Sequence, residues 1–581
     1  MIRLTTCLLT LAAVPLFADP PQPVVVDAVT DRYHPLQFDQ EKLAGLLSMR
    51  MQANSEGYLE HVDEHLLAHS LQNRGGDART ASVGGQAGKF LEASANAYAY
   101  SHDAGLRAVM ERVEKQLIAA QTGDSGSVSK SGAGNSALWV QKYDLLGLLA
   151  YYRVTQDDSA LDASENIGDS LVKTFAKGSS GYSENARAMV LVEAFVALYR
   201  YTEESRYLDL CRSAAEAWLR SKDTHSGPSY ENLSALQGLV ELYRVTGDES
   251  YFRPVVAAWM DVRNKWLSPA GNPTSNGEAS TANRNRSEGD ACATLTWIQL
   301  TLNLLRVTGE AQYAEQLEHT IYNQLFATQE ANTGAILASA PLNGSKQRSV
   351  NSDACMSSEA EGLTLIPSMV WGRYGNGIAV LLYNAGRATF QLSRRGSVQL
   401  YSEAAYPESG DFLLHVEPAH NMRFPLRLRV PEWTSHFAVE IAGSHLMGRP
   451  GDFLTINREW KRGDTVKISM DMTVRVLTGS STYADQIALQ RGPQVMALCR
   501  ALNPQLKDLA GAALIDSDAS RPRLTPVDGK LPLNWPGDQA YAVAGEYEGK
   551  PQRLVLVPFA DANAYRVWMK RPAASSGGAT E

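Results

Sequence analysis

"LSALQGLVELYRVTGDESYF", Leu233 to Phe252, decides the architecture. An apolar helix runs into Tyr-Arg-Val-Thr, a Gly-Asp turn breaks it, and a second amphipathic helix begins. The same pattern opens at Leu145 ("LLGLLAYYRVTQDDSALD"), at Leu191 ("LVEAFVALYRYTEESRYLDL") and at Trp297 ("WIQLTLNLLRVTGEAQYAEQL"). "LEASANAYAYSHDAGLRAVM", from Leu91, is a weaker copy. Arg153, Arg200, Arg244 and Arg306 mark the register and recur 47, 44 and 62 residues apart. Such a period predicts stacked helical hairpins, each burying its apolar face against its neighbours. Glycine ends one helix and acidic residues start the next, in accord with the helix dipole. About six hairpins fit between residues 39 and 330, which favours closure into an (α/α)6-type toroid over an open solenoid.

Beyond residue 376 the period changes from helical to alternating. "IAVLLYN", "SVQLYSEAAY", "DFLLHVEP", "FPLRLRVPEW", "FAVEIAG", "DFLTINREW" and "DTVKISMDM" read as short strands parted by Gly, Pro and Asn turns. The expected fold is thus multidomain α + β, a helical toroid followed by a β-sandwich. Its divisions are a signal peptide over 1–18, an N-terminal segment over 19–38, the barrel over 39–375 and the sandwich over 376–500. A further β-rich region with a disordered tail fills 501–581.

At 581 residues the chain exceeds one ordinary core. Its formal charge of −9 gives no footprint for nucleic acid or an anionic membrane. Arg3, the apolar run Leu4–Phe17 and Ala18 have the layout of a secretory signal, so a periplasmic or secreted location is expected. No later stretch is long and apolar enough for a membrane span. With the signal removed, Cys211, Cys292, Cys355 and Cys499 remain, an even count that permits disulfides in an oxidising compartment.

Two of these cysteines stand in the same tripeptide, Asp290-Ala291-Cys292 and Asp353-Ala354-Cys355. Packing, a disulfide, a metal site and a catalytic thiolate are all open readings. A thiolate needs a nearby cation, metal or helix N-terminus to lower its pKa. Asp290, Cys292 and Cys355 offer one oxygen and two sulfurs to zinc, and a tetrahedral site asks for a fourth ligand. Met356 is a poor one. His61, His65 and His69 fall on one face if a helix runs through them, but lack the glutamate that a zincin helix needs. Glu278, in the loop "SNGEAST", is a carboxylate of the kind that serves as general acid.

Several stretches, in order, resemble the β-L-arabinofuranosidase family, glycoside hydrolase family 127. They are "GGQAGKFLEA" from Gly84, "GEA" ending at Ala279, "DACAT" from Asp290, "YAEQLEHTIYNQLFA" from Tyr313, "DACMSSEA" from Asp353, and "FPLRLRVPEW", "REWKRGD" and "LQRGP" of the strand region. The resemblance implies a retaining exo-glycosidase acting on an oligosaccharide or polysaccharide. It makes Cys355 the nucleophile, Glu278 the acid/base, and Asp290, Cys292 and Cys355 zinc ligands. It also makes Glu318 a substrate contact and puts Tyr143 in the place of a pocket histidine. Met356 departs from the family, standing where the last zinc-binding cysteine falls. "PSYENL" lacks a second pocket histidine, and Ala338 replaces a pocket tyrosine. These departures keep other sugars open, among them 3,6-anhydro-galactose. Two rivals are a toroid hydrolase or lyase, such as an unsaturated uronyl hydrolase, and a non-catalytic glycan-binding protein.

Overall fold

A computed structural model of the chain describes residues 21–65, 67, 85–122, 135–177, 186–221, 227–274, 291–330, 332–348, 356–394, 396–479, 483–515, 522–527 and 539–571. The predicted hairpins are present. In chain order the helices are α1 (Gly45–Gly57), α2 (Gln86–Ser101), α3 (Ala104–Thr122), α4 (Asn135–Thr155), α5 (Asp158–Lys177) and α6 (Val192–Thr202). They continue with α7 (Ser205–Arg220), α8 (Tyr230–Thr246), α9 (Glu249–Lys265), α10 (Ala291–Thr308), α11 (Ala311–Thr320) and α12 (Met356–Thr364). Helices α2, α4, α6, α8, α10 and α12 pack each on the next, and α12 returns to α2, so the inner ring closes. The sixth inner helix carries no copy of the repeat and lies beyond residue 330. None of the described helices is long and apolar enough to cross a membrane.

The Gly-Asp turn works as the sequence implies. Gly247 takes a left-handed φ of 72° after α8, and Asp248 caps α9 by accepting from the Ser250 N–H at 2.9 Å. The equivalent positions His102, Gln156 and Glu203 adopt the same conformation, with φ of 56°, 61° and 56°, without glycine's freedom. A closer constraint holds α2 against α4. A side chain on Gly88 would lie 2.1 Å from the Tyr143 carbonyl oxygen, and one on Gly147 would lie 2.3 Å from that of Gly88. The two backbones meet at paired glycines, which seats Lys89 beside Tyr143.

The repeat arginines have a partner that periodicity does not reveal. Residues 25–32 run across the C-terminal ends of the inner helices as a strap. The N–H groups of Val25, Val29 and Arg32 donate to the carbonyls of Arg200, Arg244 and Arg306 at 3.1, 3.0 and 2.8 Å, satisfying acceptors that a helix end leaves open. Asp27 accepts from Arg200 Nε at 2.9 Å, and Asp31 from Arg244 Nη2 and Arg306 Nε at 3.0 Å each. Glu241 takes Arg200 Nη1 at 2.6 Å and Asn303 Nδ2 at 2.8 Å. Three arginines thus face three carboxylates at the helix ends where cations are favoured.

Two antiparallel-dominated sheets form the sandwich. One holds Tyr33–Pro35, Trp371–Tyr374, Gly377–Val380, Met422–Arg429 and Phe453–Trp460 in that spatial order. The other has seven strands and includes Glu41–Leu43 at its edge. The segment before the barrel therefore adds a strand to each sheet. Strands Val474–Thr478, Gln486–Arg491 and Gln494–Cys499, expected in the sandwich, pair instead within a third sheet of ten strands running to Met569–Lys570. Alternation alone fixes which face is buried, not which sheet a strand joins.

Candidate active site

At the opposite end of the ring, all six inner helices bring polar side chains together, all but Glu361 from their N-terminal halves. Lys89 and Glu92 come from α2, and Trp139, Lys142 and Tyr143 from α4. Glu193 lies on α6, Tyr230, Ser234 and Gln237 on α8, Cys292 and Gln299 on α10, and Ser358 and Glu361 on α12. The positive ends of the six helix dipoles point the same way, which favours negative charge here.

Lys142 Nζ pairs with Glu193 Oε2 at 2.6 Å and donates to Ser234 Oγ at 2.7 Å, although its side chain is only 2% exposed. Glu193 also accepts from Gln237 Nε2 at 3.3 Å. Trp139 stacks on Tyr230 with centroids 4.6 Å apart and on Tyr143 at 6.2 Å. Lys89 Nζ sits 4.4 Å above the Tyr143 ring and 3.5 Å from Cys292 Sγ. Ser358 Oγ lies 3.6 Å from the same sulfur. Gln299 Nε2 donates to Glu361 Oε1 at 2.6 Å.

Two lysines here face three carboxyls, and the imbalance registers in their acidity. Burial and the neighbouring Glu193 charge push Glu92 up to about 7, against the pull of Arg153, Lys142 and Lys89. Burial, with Glu92 and Glu193 beside it, holds Glu361 well above the usual carboxylate range. On the same short helix, burial pushes Glu359 up to about 8 despite a hydrogen bond from Thr328.

Of the residues singled out from the sequence, Tyr143 and Cys292 enter this cluster. Glu278, Asp290 and Cys355 lie outside the described residues, as do His69 and the segment 1–18. Glu318 does not belong to the cluster. It is 1% exposed, and its oxygens accept from Arg429 Nη2 at 2.5 Å, Tyr406 Oη at 2.7 Å and Trp433 Nε1 at 2.9 Å. The carboxylate is taken up by Arg429 and Trp433 of the "FPLRLRVPEW" stretch and by Tyr406, and ties barrel to sandwich. His61 and His65 share no continuous helix, because His61 ends a 3-10 turn and Val62 is extended at ψ 140°. Lys89, Glu193, Gln237 and Glu361 were missed. Lys89 lay within "GGQAGKFLEA" and Glu361 six residues past Cys355, but a polar residue on a mostly apolar helix does not announce whether it faces the axis.

A zinc ion does not fit the described part of its expected donor set. Cys292 is disulfide-bonded, to a partner outside the described residues, so it presents no thiolate. The Lys89 ammonium beside its sulfur would repel a dication. Met356 packs among apolar side chains.

Comparisons with known proteins bear on the whole architecture. Residues 42–367 match the β-L-arabinofuranosidase GH127 catalytic domain, and residues 377–472 the GH127 middle domain. The non-reducing end β-L-arabinofuranosidase of Bifidobacterium longum subsp. longum is 22% identical over 512 residues, covering 72% of this chain and 75% of that protein. A solved GH127 β-arabinofuranosidase superposes with a TM-score of 0.77 at 19% identity, over 93% of this chain and 98% of its own. The GH127 β-L-arabinofuranosidase of Geobacillus stearothermophilus T6 gives 0.77 at 18% identity, over 91% and 100%. These structures share the fold. With both matched domains in the order of barrel and then sandwich, the chain belongs to the β-L-arabinofuranosidase family, glycoside hydrolase family 127, and is a glycoside hydrolase.

Proposed function

We propose that the protein is an exported, retaining exo-glycosidase that releases a terminal β-L-arabinofuranose or closely related sugar from plant or algal glycans. Cys355 is the nucleophile and Glu278 the acid/base. The carrying observation is the seat of its partner tripeptide. Cys292 lies at the positive end of the helix ring, against the Lys89 ammonium and against Ser358, three residues after Cys355. A cation and helix N-termini are the two metal-free means of stabilising a thiolate, and both are present there for the thiolates that reduction of the Cys292 disulfide would release. Tyr143 and Tyr230, stacked with Trp139, offer aromatic walls to the sugar. Export rests on the apolar run Leu4–Phe17.

In the first step the Cys355 sulfur attacks the anomeric carbon while Glu278 protonates the departing oxygen. A C–S bond forms as the C–O bond breaks. Glu278 then takes a proton from water, whose oxygen displaces the sulfur and restores the original anomeric configuration. Incubating wild type and Cys355→Ser with arabinan, arabinogalactan, pectin and carrageenan oligosaccharides, with and without a thiol reductant, tests this. Chromatography is expected to show one monosaccharide released by the reduced wild type and a loss of at least about 10³-fold in the variant. Equal release by both would remove Cys355 from the mechanism.

A further inference from the structure

We propose that the chain works without zinc, and that the Lys89 ammonium, seated on the Tyr143 ring, supplies in its place the fixed positive charge at the Cys292 sulfur. This rests on the glycosidase reading and adds Lys89 to it as a positioning residue for the thiolates of the site.

Even a catalytic zinc asks for three protein donors. Of the positions where the resemblance expects them, Cys292 is held in a disulfide, Met356 packs among apolar side chains, and only Asp290 and Cys355 remain. Among the described residues, no three His, Cys, Asp or Glu side chains gather as a metal ion requires. Reduction would return the Cys292 thiol but not a metal site. Lys89 Nζ lies 3.5 Å from that sulfur. A zinc bonded to it at about 2.3 Å would stand within about 6 Å of the ammonium, and like charges so close in a buried site repel strongly.

Lys89 has little room to withdraw. It is 4% exposed, and its helix meets α4 where neither Gly88 nor Gly147 has space for a side chain. Beneath it, Trp139, Tyr143 and Tyr230 form one aromatic stack. Lys89 Nζ lies 4.4 Å from the Tyr143 centroid and 6.0 Å from that of Tyr230. Lys142 Nζ lies 5.5 Å from the rings of Trp139 and Tyr143. Ring faces are negative, so they hold a desolvated ammonium without neutralising it as a carboxylate would. Tyr143 stands in the place of a pocket histidine and Met356 in the place of a cysteine. One exchange seats a cation and the other removes a metal donor, so the two serve a single change. A fixed ammonium stabilises a thiolate as a metal does, and no chelator removes it.

The test uses the full chain and reads metal, thiolate and turnover separately. Wild type, Lys89→Met, Lys89→Arg and Tyr143→Leu are expressed with zinc in the medium and reduced with a phosphine. Bound metal is measured by emission spectrometry, zinc chloride is titrated in by calorimetry, and thiolate is read by its ultraviolet absorbance. Turnover is measured with and without a chelator on whichever oligosaccharide the wild type cleaves. The wild type is expected to hold less than about 0.1 zinc per chain and to lose less than about two-fold in turnover to the chelator. Lys89→Met is expected to lose thiolate absorbance, to bind zinc more tightly than the wild type, and to lower kcat about ten-fold or more with KM largely kept. Lys89→Arg keeps a cation and is expected to stay within about three-fold of wild type. Tyr143→Leu is expected to lose part of the thiolate absorbance. Melting curves verify that each variant is folded, and the wild-type metal content decides without any variant. One zinc per chain with turnover lost on chelation, or a Lys89→Met variant with unchanged thiolate absorbance and kcat, overturns the proposal and leaves the glycosidase reading intact. A wild type that cleaves no sugar removes the glycosidase reading, and the metal and absorbance readings still decide this one.

Discussion

Both ends of the helical ring gather buried basic and acidic side chains, and they treat them oppositely. At the strap end, Arg200, Arg244 and Arg306 meet Asp27, Asp31 and Glu241 one for one. Burial would raise the Glu241 carboxyl, yet the surrounding arginines bring it down to about 2. At the other end the lysines are outnumbered, Glu92 rises to about 7, and Glu361 keeps an unpaired oxygen. Matched charge in a buried site is architecture. Mismatched charge at equal burial is capacity held for something that is not protein.

The sharpest way to break this contrast is to unbalance the strap end. Arg244→Met leaves Asp31 and Glu241 short of a buried partner, and is expected to cost about 3–5 kcal/mol of stability, read by calorimetric or denaturant unfolding. An effect below about 1 kcal/mol would mean that the arginine cluster is ornament on a ring held by apolar packing.

Acidity separates the ends next. Glu92 and Glu359 hold protons in the folded chain that the unfolded chain releases above a pKa near 4.5. The stability they contribute is complete below that value and is lost as pH rises through about 7 to 8. Glu241 behaves in reverse, with stability present above about 4.5 and lost as pH falls through about 2. Between pH 5 and 8 the protein should therefore weaken as pH rises, by up to about 1.4 kcal/mol per unit for each retained proton. Glu359→Gln should flatten the melting temperature across that window. A wild-type profile that is already flat would contradict the assignment.

The smallest expected effect sharpens the joints between the ends. Glu203 holds a left-handed φ of 56° where Gly247 serves the next hairpin. Glu203→Gly should stabilise by about 1 kcal/mol in a thermal melt, whereas Gly247→Ala should destabilise by a similar amount.

Much of the fold was legible because the repeat states it directly. Tyr-Arg-Val-Thr-Gly-Asp gives helix, stop and restart, and the change to alternation near residue 376 marks the sandwich. Helix α12 was not legible as a barrel element. It spans only nine residues and owes its place to packing against α2 and α10, not to a periodic pattern of its own. The arginine register was visible, but its purpose required Asp27 and Asp31, which sit some 170 to 280 residues earlier with no local signature. The site was half legible. Cysteines in matching tripeptides draw attention by rarity. Gln237 and Glu361 look like any polar residue on a helix until the ring closes around them, and Glu318 drew notice for a charge that the sandwich consumes.

The strap also sets a timetable. Asp31 is made 275 residues before Arg306, its partner at the last inner helix it reaches. At a synthesis rate of about 5–20 residues per second, roughly 14 to 55 s separate the two. Strands Tyr33–Pro35 and Glu41–Leu43 wait longer still, for sheets that begin near residue 371. The strap and these two strands, though made early, are thus among the last of the described segments to meet their partners. Deleting residues 21–32 should therefore slow or abolish the final, cooperative stage of refolding more than it alters the early gain of helix.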